Sequence, residues 1–145
     1  MSNETVGTYD PGAVTFTFGP NIASGYAKDS MIVASRVNAG FTVYEGCDGY
    51  VCRAANRSKL GKFKLRLATS SKFNDVLSAY YHADEANPGA GVMPAMLKDS
   101  SGTGLASAKA AWVSKLPDME RAREIGEVEW EIDVAKLEMH VGGTL

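Results

Sequence analysis

The chain has 145 residues and a mass of 15.4 kDa, which fits one domain and leaves no room for two ordinary cores. Its formal net charge of −2 and pI near 5.7 argue against a surface built to grip nucleic acid, which needs a basic face to release counterions. They do not argue against a surface past which nucleic acid slides. Met1-Ser2-Asn3-Glu4 carries neither the basic nor the apolar stretch of a secretory leader, and no run approaches the ~20 apolar residues of a membrane helix. The expectation is a soluble, non-membrane protein made in a cytoplasm. Its two cysteines, Cys47 and Cys52, are then reduced and structurally incidental.

In chain order, Asp10-Pro11-Gly12 is a turn signal opening a strand in which Val14, Phe16 and Phe18 alternate with Thr15 and Thr17. Gly19-Pro20-Asn21 stops it, and this period of two between breakers marks a half-buried strand. Met31 to Val37 and Phe41 to Glu45 read as the next two strands. Gly46-Cys47-Asp48-Gly49 is a hairpin signal, since Gly and Asp tolerate the backbone such turns need, and Tyr50 to Arg53 is the return strand. Ala54 to Gly61 reads as a polar loop. Lys62 to Ala68 alternates cleanly, with Phe63, Leu65 and Leu67 on one side and Lys62, Lys64 and Arg66 on the other.

Ser70 or Ser71 is placed to cap a helix. Phe73, Val76, Leu77, Tyr80 and Tyr81 then recur at spacings of three and four, which predicts one amphipathic helix to about His82, stopped by Asn87-Pro88-Gly89. Val92 to Asp99 and Leu105 to Lys115 form a hairpin around Asp99-Ser100-Ser101-Gly102. Pro94, which donates no ladder bond, belongs near a strand end or on an edge. Pro117 to Glu124 is a charged loop or short helical turn. Glu127 to Val134 places Val128, Trp130, Ile132 and Val134 on one face and Glu127, Glu129, Glu131 and Asp133 on the other. The apolar parity then flips at Leu137, so a bulge or bend is expected near Ala135. The fold class is mainly β: an antiparallel barrel or sandwich of about seven strands with one short helix over an end or edge.

Little in the chain points to chemistry. His82 and His140 lie in no metal-binding spacing, and two thiols make no tetrahedral zinc site. There is no G-x-S-x-G elbow, and Gly102-Thr103-Gly104 lacks the lysine of a phosphate loop. The reading is no enzyme and no cofactor. The row Glu127, Glu129, Glu131, Asp133 has two main readings: a solvated face partly neutralised by Lys62, Lys64 and Arg66, or a wall that repels phosphate. A catalytic carboxylate pair is the weakest use of it. Tyr80, Tyr81, Trp112 and Trp130 fit a core or subunit contacts better than a base-stacking platform, which comes with basic neighbours.

The block TYDPGAVTFTFGPNIASGYA (Thr8 to Ala27) resembles the N-terminal motif of tail tube proteins of contractile-tailed bacteriophages. FNDVLSA (Phe73 to Ala79) with Asp84-Glu85 is similar to that family's helix segment. LKDSSGT (Leu97 to Thr103) before Ala111-Trp112 is similar to its central hairpin, and IGEVEW (Ile125 to Trp130) to its closing strand. Two departures stand out: Lys62, Lys64 and Arg66 occupy places where the family has small polar residues, and residues 135–145 form a C-terminal extension.

The resemblance implies a single tail-tube domain over residues 1–145, similar in fold to the tube protein of type VI secretion. It further implies hexameric rings stacked helically into a conduit for genome ejection inside a contractile sheath. The implied partners are further copies of the chain, the sheath protein, baseplate and tail terminator proteins. A tape measure protein and viral DNA, held without sequence specificity, would occupy the lumen. The implied location is the virion tail, after synthesis and assembly in the host bacterial cytoplasm. On this reading Glu129, Glu131 and Asp133 line the channel. Ring-to-ring contact falls to Cys47, Asp48, Arg57, Ser58, Lys59 and Asn87. The rival from another class is a small β-barrel module binding a ligand or peptide in a concave aromatic-lined pocket.

Overall fold

The computed structural model of the protein describes residues 9–28 and 31–143. The leader reading at Met1-Ser2-Asn3-Glu4, Thr8 of the first motif and the last two residues of the extension lie outside these. Asp10 Oδ1 accepts from the Gly12 N–H at 2.9 Å and starts a 3-10 turn over Pro11–Ala13. The chain then enters β1 (Val14–Phe18), which fully buries Phe16 and Phe18 and leaves the threonines half-exposed. Gly19 turns the chain at φ 61°, a conformation costly for any residue with a Cβ, and a short β2 (Asn21–Ile22) folds back onto β1.

The remaining strands are β3 (Ile32–Arg36), β4 (Phe41–Glu45), β5 (Val51–Ala55), β6 (Gly61–Ala68), β7 (Met93–Asp99), β8 (Leu105–Lys115), β9 (Glu127–Val134) and β10 (Glu138–His140). One helix, α1 (Phe73–Ala86), lies between β6 and β7. Seven strands follow the antiparallel order β2-β1-β7-β8-β9-β6-β3, with β10 added alongside the first part of β8. The sheet curls so that the segment after β2 meets β6 again. Tyr26 bridges Leu67, the Ala27 N–H donates to Arg66 O at 3.0 Å, and the Ala68 N–H donates to Gly25 O at 2.8 Å. The expected barrel-like arrangement is therefore present.

Its interior is filled. Phe16, Phe18, Phe63, Leu65, Leu67, Ile132 and Leu137 are wholly buried, and the Phe16 and Phe63 rings meet at 5.1 Å. Trp130 sits among them and donates its indole N–H to Asn74 Oδ1 at 2.8 Å. Asn74 in turn donates to Ala68 O at 3.0 Å, tying the start of α1 to the end of β6. The Ser71 hydroxyl accepts from the Phe73 N–H at 3.2 Å and donates to Ser24 O at 2.6 Å, so it serves the helix start as expected. The helix buries Phe73 and Leu77, and Tyr80 packs edge-on against Phe18. After Val134 the strand breaks at Ala135-Lys136, and Leu137 drops into the core beside Gly61. A Cβ on Gly61 would stand 2.6 Å from the Leu137 side chain, which is why that position has none.

Several boundaries differ from expectation. The helix continues to Ala86, four residues past His82, because nothing before the Asn87-Pro88-Gly89 breaker opposes it. Ala54 and Ala55 belong to β5 rather than to the following loop, and β2 was not expected. Pro94 does lie near a strand end as expected, one residue into β7, although that strand is flanked on both sides; the register with β8 shifts between Met93 and Ala95, and this irregularity absorbs the missing donor. The largest difference concerns β4 and β5. They pair with each other as the expected hairpin, but they form a separate two-stranded sheet and leave the barrel altogether.

Candidate assembly surface

The β4–β5 arm is built like a hairpin and packed like nothing in a monomer. Gly46 N–H donates to Tyr50 O at 2.7 Å and Gly49 N–H to Gly46 O at 3.0 Å, while Asp48 Oδ1 receives the Tyr50 N–H at 3.1 Å. At the base, Asn56 N–H donates to Gly40 O at 2.7 Å. Every residue of both strands is exposed, including Phe41, Val43 at 72%, Tyr44 at 68% and Val51. Register puts Phe41, Val43, Glu45, Val51, Arg53 and Ala55 on one face, and Thr42, Tyr44, Cys52 and Ala54 on the other. Arg53 caps the Phe41 ring at 4.3 Å from its centroid, which contributes about 0.5–1 kcal/mol at such an exposed place. An isolated two-stranded hairpin is marginal in water, and apolar side chains on both of its faces are left uncovered by the described residues.

Near the arm lies an open edge. Among the described residues β3 pairs with β6 on one side and ends the sheet on the other, with Val33 half-exposed on it. An unpaired strand edge is a template for a further strand. The chain as a whole exposes 9877 Å², against roughly 7,000 Å² for a compact monomer of this mass. The arm accounts for part of that excess, and the charged β8–β9 connection, with Met119 at 82% exposed and Ile125 at 75%, for more.

The residues singled out from sequence lie in four places. Cys47 and Asp48 occupy the exposed tip of the arm, and both thiols are free and exposed. Arg57, Ser58 and Lys59 follow the arm's base and line a shallow recess with Ala135 and Lys136. Lys59 O receives the Leu137 N–H at 2.8 Å, and its ammonium reaches Glu138 at 3.3 Å. That hydrogen bond and charge hold the Glu138 carboxyl below its ordinary value. Asn87 lies in neither place; it terminates α1, its N–H donating to Ala83 O at 2.9 Å.

Glu129, Glu131 and Asp133 do share one face of β9, and β6 sets the basic row directly beside them. Lys62 stands opposite Asp133, Lys64 opposite Glu131 and Arg66 opposite Glu129. The Lys62 ammonium lies 3.4 Å from Glu131 and 4.0 Å from Asp133; the Arg66 guanidinium lies 3.6 Å from Glu127 and 3.8 Å from Glu129. Cross-strand pairs of this kind contribute about 0.2–1 kcal/mol each. The acidic face is thus partly neutralised, as one of the two main readings held. Four acids against three bases leave the paired rows at −1.

Sequence reasoning missed the arm's detachment. The available signal was that Phe41, Val43, Tyr44, Tyr50 and Val51 put apolar side chains on both parities, whereas β6 and β9 keep their large apolar residues on one. Among the described residues, no helix is long and apolar enough to cross a membrane.

Comparison with known proteins agrees with this architecture. The chain is 27% identical over 143 residues to "Structural protein ORF10" of Pseudomonas phage KPP10, covering 94% of this chain and 83% of that protein. It superimposes on the sheath/tube terminator of the extracellular contractile injection system PVC with a TM-score of 0.60 at 11% identity, covering 92% of this chain and 97% of the other. The tube terminating cap of the anti-feeding prophage AFP gives 0.58 at 13% identity, covering 99% and 97%. A chain of the PVC sheath–tube complex in its extended state gives 0.61 at 8%, covering 95% and 93%. These solved structures share the fold of contractile tail tubes. A family model described as "Bacteriophage PhiTE tail tube protein" matches residues 14–142, almost the whole of the described barrel and arm. The chain belongs to this phage tail tube family, and is a structural phage protein rather than an enzyme.

Proposed function

We propose that copies of this chain join into hexameric rings, and that the rings stack into the inner tube through which the genome leaves the virion. The observation that carries this reading is the β4–β5 arm, whose ten strand residues are all exposed. A stable monomer has no use for such an element, and a repeating assembly does. Head-to-tail contacts that do not close on themselves generate a filament. The open β3 edge supplies a route for sheet pairing between ring neighbours. The number six follows the likeness to type VI secretion tubes.

Cys47 and Asp48 at the arm tip, Arg57, Ser58 and Lys59 at its base and Asn87 beyond α1 are the proposed ring-to-ring contacts. Sheath, baseplate and terminator proteins are the proposed partners, a reading that the sheath–tube and terminator likenesses support. The tape measure protein and DNA would occupy the lumen, and assembly would take place in the host cytoplasm. Glu129, Glu131 and Asp133 are the proposed channel lining. With Lys62 and Arg66 already engaged by carboxylates, passing phosphates find few free cations to hold them.

Electron microscopy of purified wild-type protein and of the triple variant Glu129→Gln, Glu131→Gln, Asp133→Asn tests both parts. Full charge reversal is the wrong tool, because it would set six cations on adjacent strands. Both proteins are expected to form stacked six-fold rings, while phage carrying the neutral variant eject DNA more slowly, since Lys62 then loses both of its carboxylates and is free for phosphate. Failure of the wild type to form rings contradicts the tube reading. Unchanged ejection by the variant contradicts the channel assignment alone.

A further inference from the structure

We infer that the segment joining β9 to β10 is a strut that fixes the direction of the β4–β5 arm, with Arg36, Lys59 and Glu138 as its positioning residues. The strut is a property of the single chain, and its consequence for assembly rests on the tube reading. The arm leaves the barrel through two roots, residues 37–40 after β3 and residues 56–60 before β6. Its ten strand residues are all exposed, so no packing of the arm on the barrel sets where it points. Its direction has to come from the roots.

Both roots meet at one residue of the C-terminal segment. The Leu137 N–H donates to Lys59 O in the second root at 2.8 Å. The Leu137 carbonyl accepts at 2.9 Å from Nη2 of Arg36, the last residue of β3, where the first root begins. One residue on, Glu138 holds the Lys59 ammonium at 3.3 Å and the Lys136 ammonium at 3.7 Å. Two further bonds join the roots to each other: Val37 N–H to Leu60 O at 3.0 Å, and Asn38 Nδ2 to Ser58 Oγ at 3.3 Å. These close the ribbon at its base but leave it free to swing against the sheet. Leu137 is suited to stop that swing because it is itself fixed. Its side chain is wholly buried, and the missing Cβ of Gly61 lets it lie directly on the start of β6. The segment also keeps one register against β8 through the bend, with Val134 opposite Ala111 and Glu138 opposite Ser107. Neither end of the strut can slide without breaking a ladder.

Distance measurement by electron spin resonance in the dilute full-length chain reads the arm's direction. One nitroxide sits on Cys47 at the arm tip, with Cys52→Ser, and the other on Lys98→Cys on the exposed face of β7. The otherwise unaltered chain is expected to give one narrow distance distribution. The double variant Arg36→Met, Glu138→Gln is expected to give a broader one at an unchanged melting temperature, because both side chains lie on the surface. Arg36→Lys, which keeps a donor, is expected to restore most of the sharpness. Without labels, the double variant is expected to need at least about tenfold more chain to assemble, since an arm that points correctly about a tenth of the time binds about tenfold more weakly. A distribution as narrow in the double variant as in the wild type overturns the strut. So does a fall in melting temperature, which would make Arg36 and Glu138 braces of the barrel. A broader distribution with an unchanged assembly threshold overturns the link from strut to assembly. If the distribution broadens but the unmodified chain never assembles, the strut stands and the tube reading alone fails.

Discussion

A chain in which residues 41–55 are replaced by a two-residue Asn-Gly turn is expected to fold as a soluble monomer and to build no rods at any concentration. The base of the arm is already closed, with the Asn56 N–H donating to Gly40 O at 2.7 Å, so a tight turn can bridge these residues without straining β3 or β6. None of the removed side chains is buried against the barrel. Stability against denaturant should therefore change by no more than about 0.5 kcal/mol, the scale for surface changes away from core features. Assembly should be lost outright, because the variant lacks Phe41, Val43, Tyr44 and Val51, the exposed apolar residues that the proposed contact uses. Sedimentation of the variant beside the wild type reads both quantities. A variant that still forms rods would show that the arm is decoration, and a variant that unfolds would show that it braces the barrel.

The second large effect concerns the barrel itself. Trp130→Ala is expected to cost about 3–5 kcal/mol, the range for deleting a large buried aromatic. Trp130 is 2% exposed on β9, opposite Leu65 of β6, and its indole N–H is held by Asn74 at 2.8 Å. For a chain of this size the melting temperature should fall by roughly 10–20 °C. Trp130→Phe separates packing from hydrogen bonding: it keeps most of the volume but leaves Asn74 without its donor, for which about 1–3 kcal/mol is expected. Should Trp130→Phe prove as damaging as Trp130→Ala, the Asn74 contact matters more than the packing. A loss under about 1 kcal/mol for Trp130→Ala would contradict its place in the core.

The same contrast between barrel and arm explains what could be read from residues alone. Glu127–Val134 and Lys62–Ala68 stand where alternation placed them, because each buries one face against the core and a one-residue slip would expose it. The bend at Ala135 was legible for the same reason: Leu137 breaks parity with Val134, and both are buried. In the arm that logic fails. Phe41-Thr42-Val43-Tyr44 fits a strand by propensity, yet both of its faces are exposed, so apolar residues on both parities set it apart from β6 and β9 without saying where it sits. The pairing of the acidic row with Lys62, Lys64 and Arg66 was foreseeable as chemistry, but the adjacency of β6 and β9, 69 residues apart at Lys62 and Glu131, is a matter of topology. Of the proposed contact residues, Cys47 and Asp48 were legible as a turn. Nothing in their spacing revealed that the turn stands at the end of an arm.

Amide hydrogen exchange, compared between dilute chain and assembled particles, tests most directly whether the arm and the β3 edge are made for other copies. In dilute protein the amides of residues 41–55 and 32–36 should exchange far faster than those of β9, since little but their own ladder protects them. In assembled particles they should slow at least about a hundredfold, which corresponds to on the order of 3 kcal/mol of added protection. Arm and edge amides that exchange at the same rate in particles as in isolated chains would contradict the account.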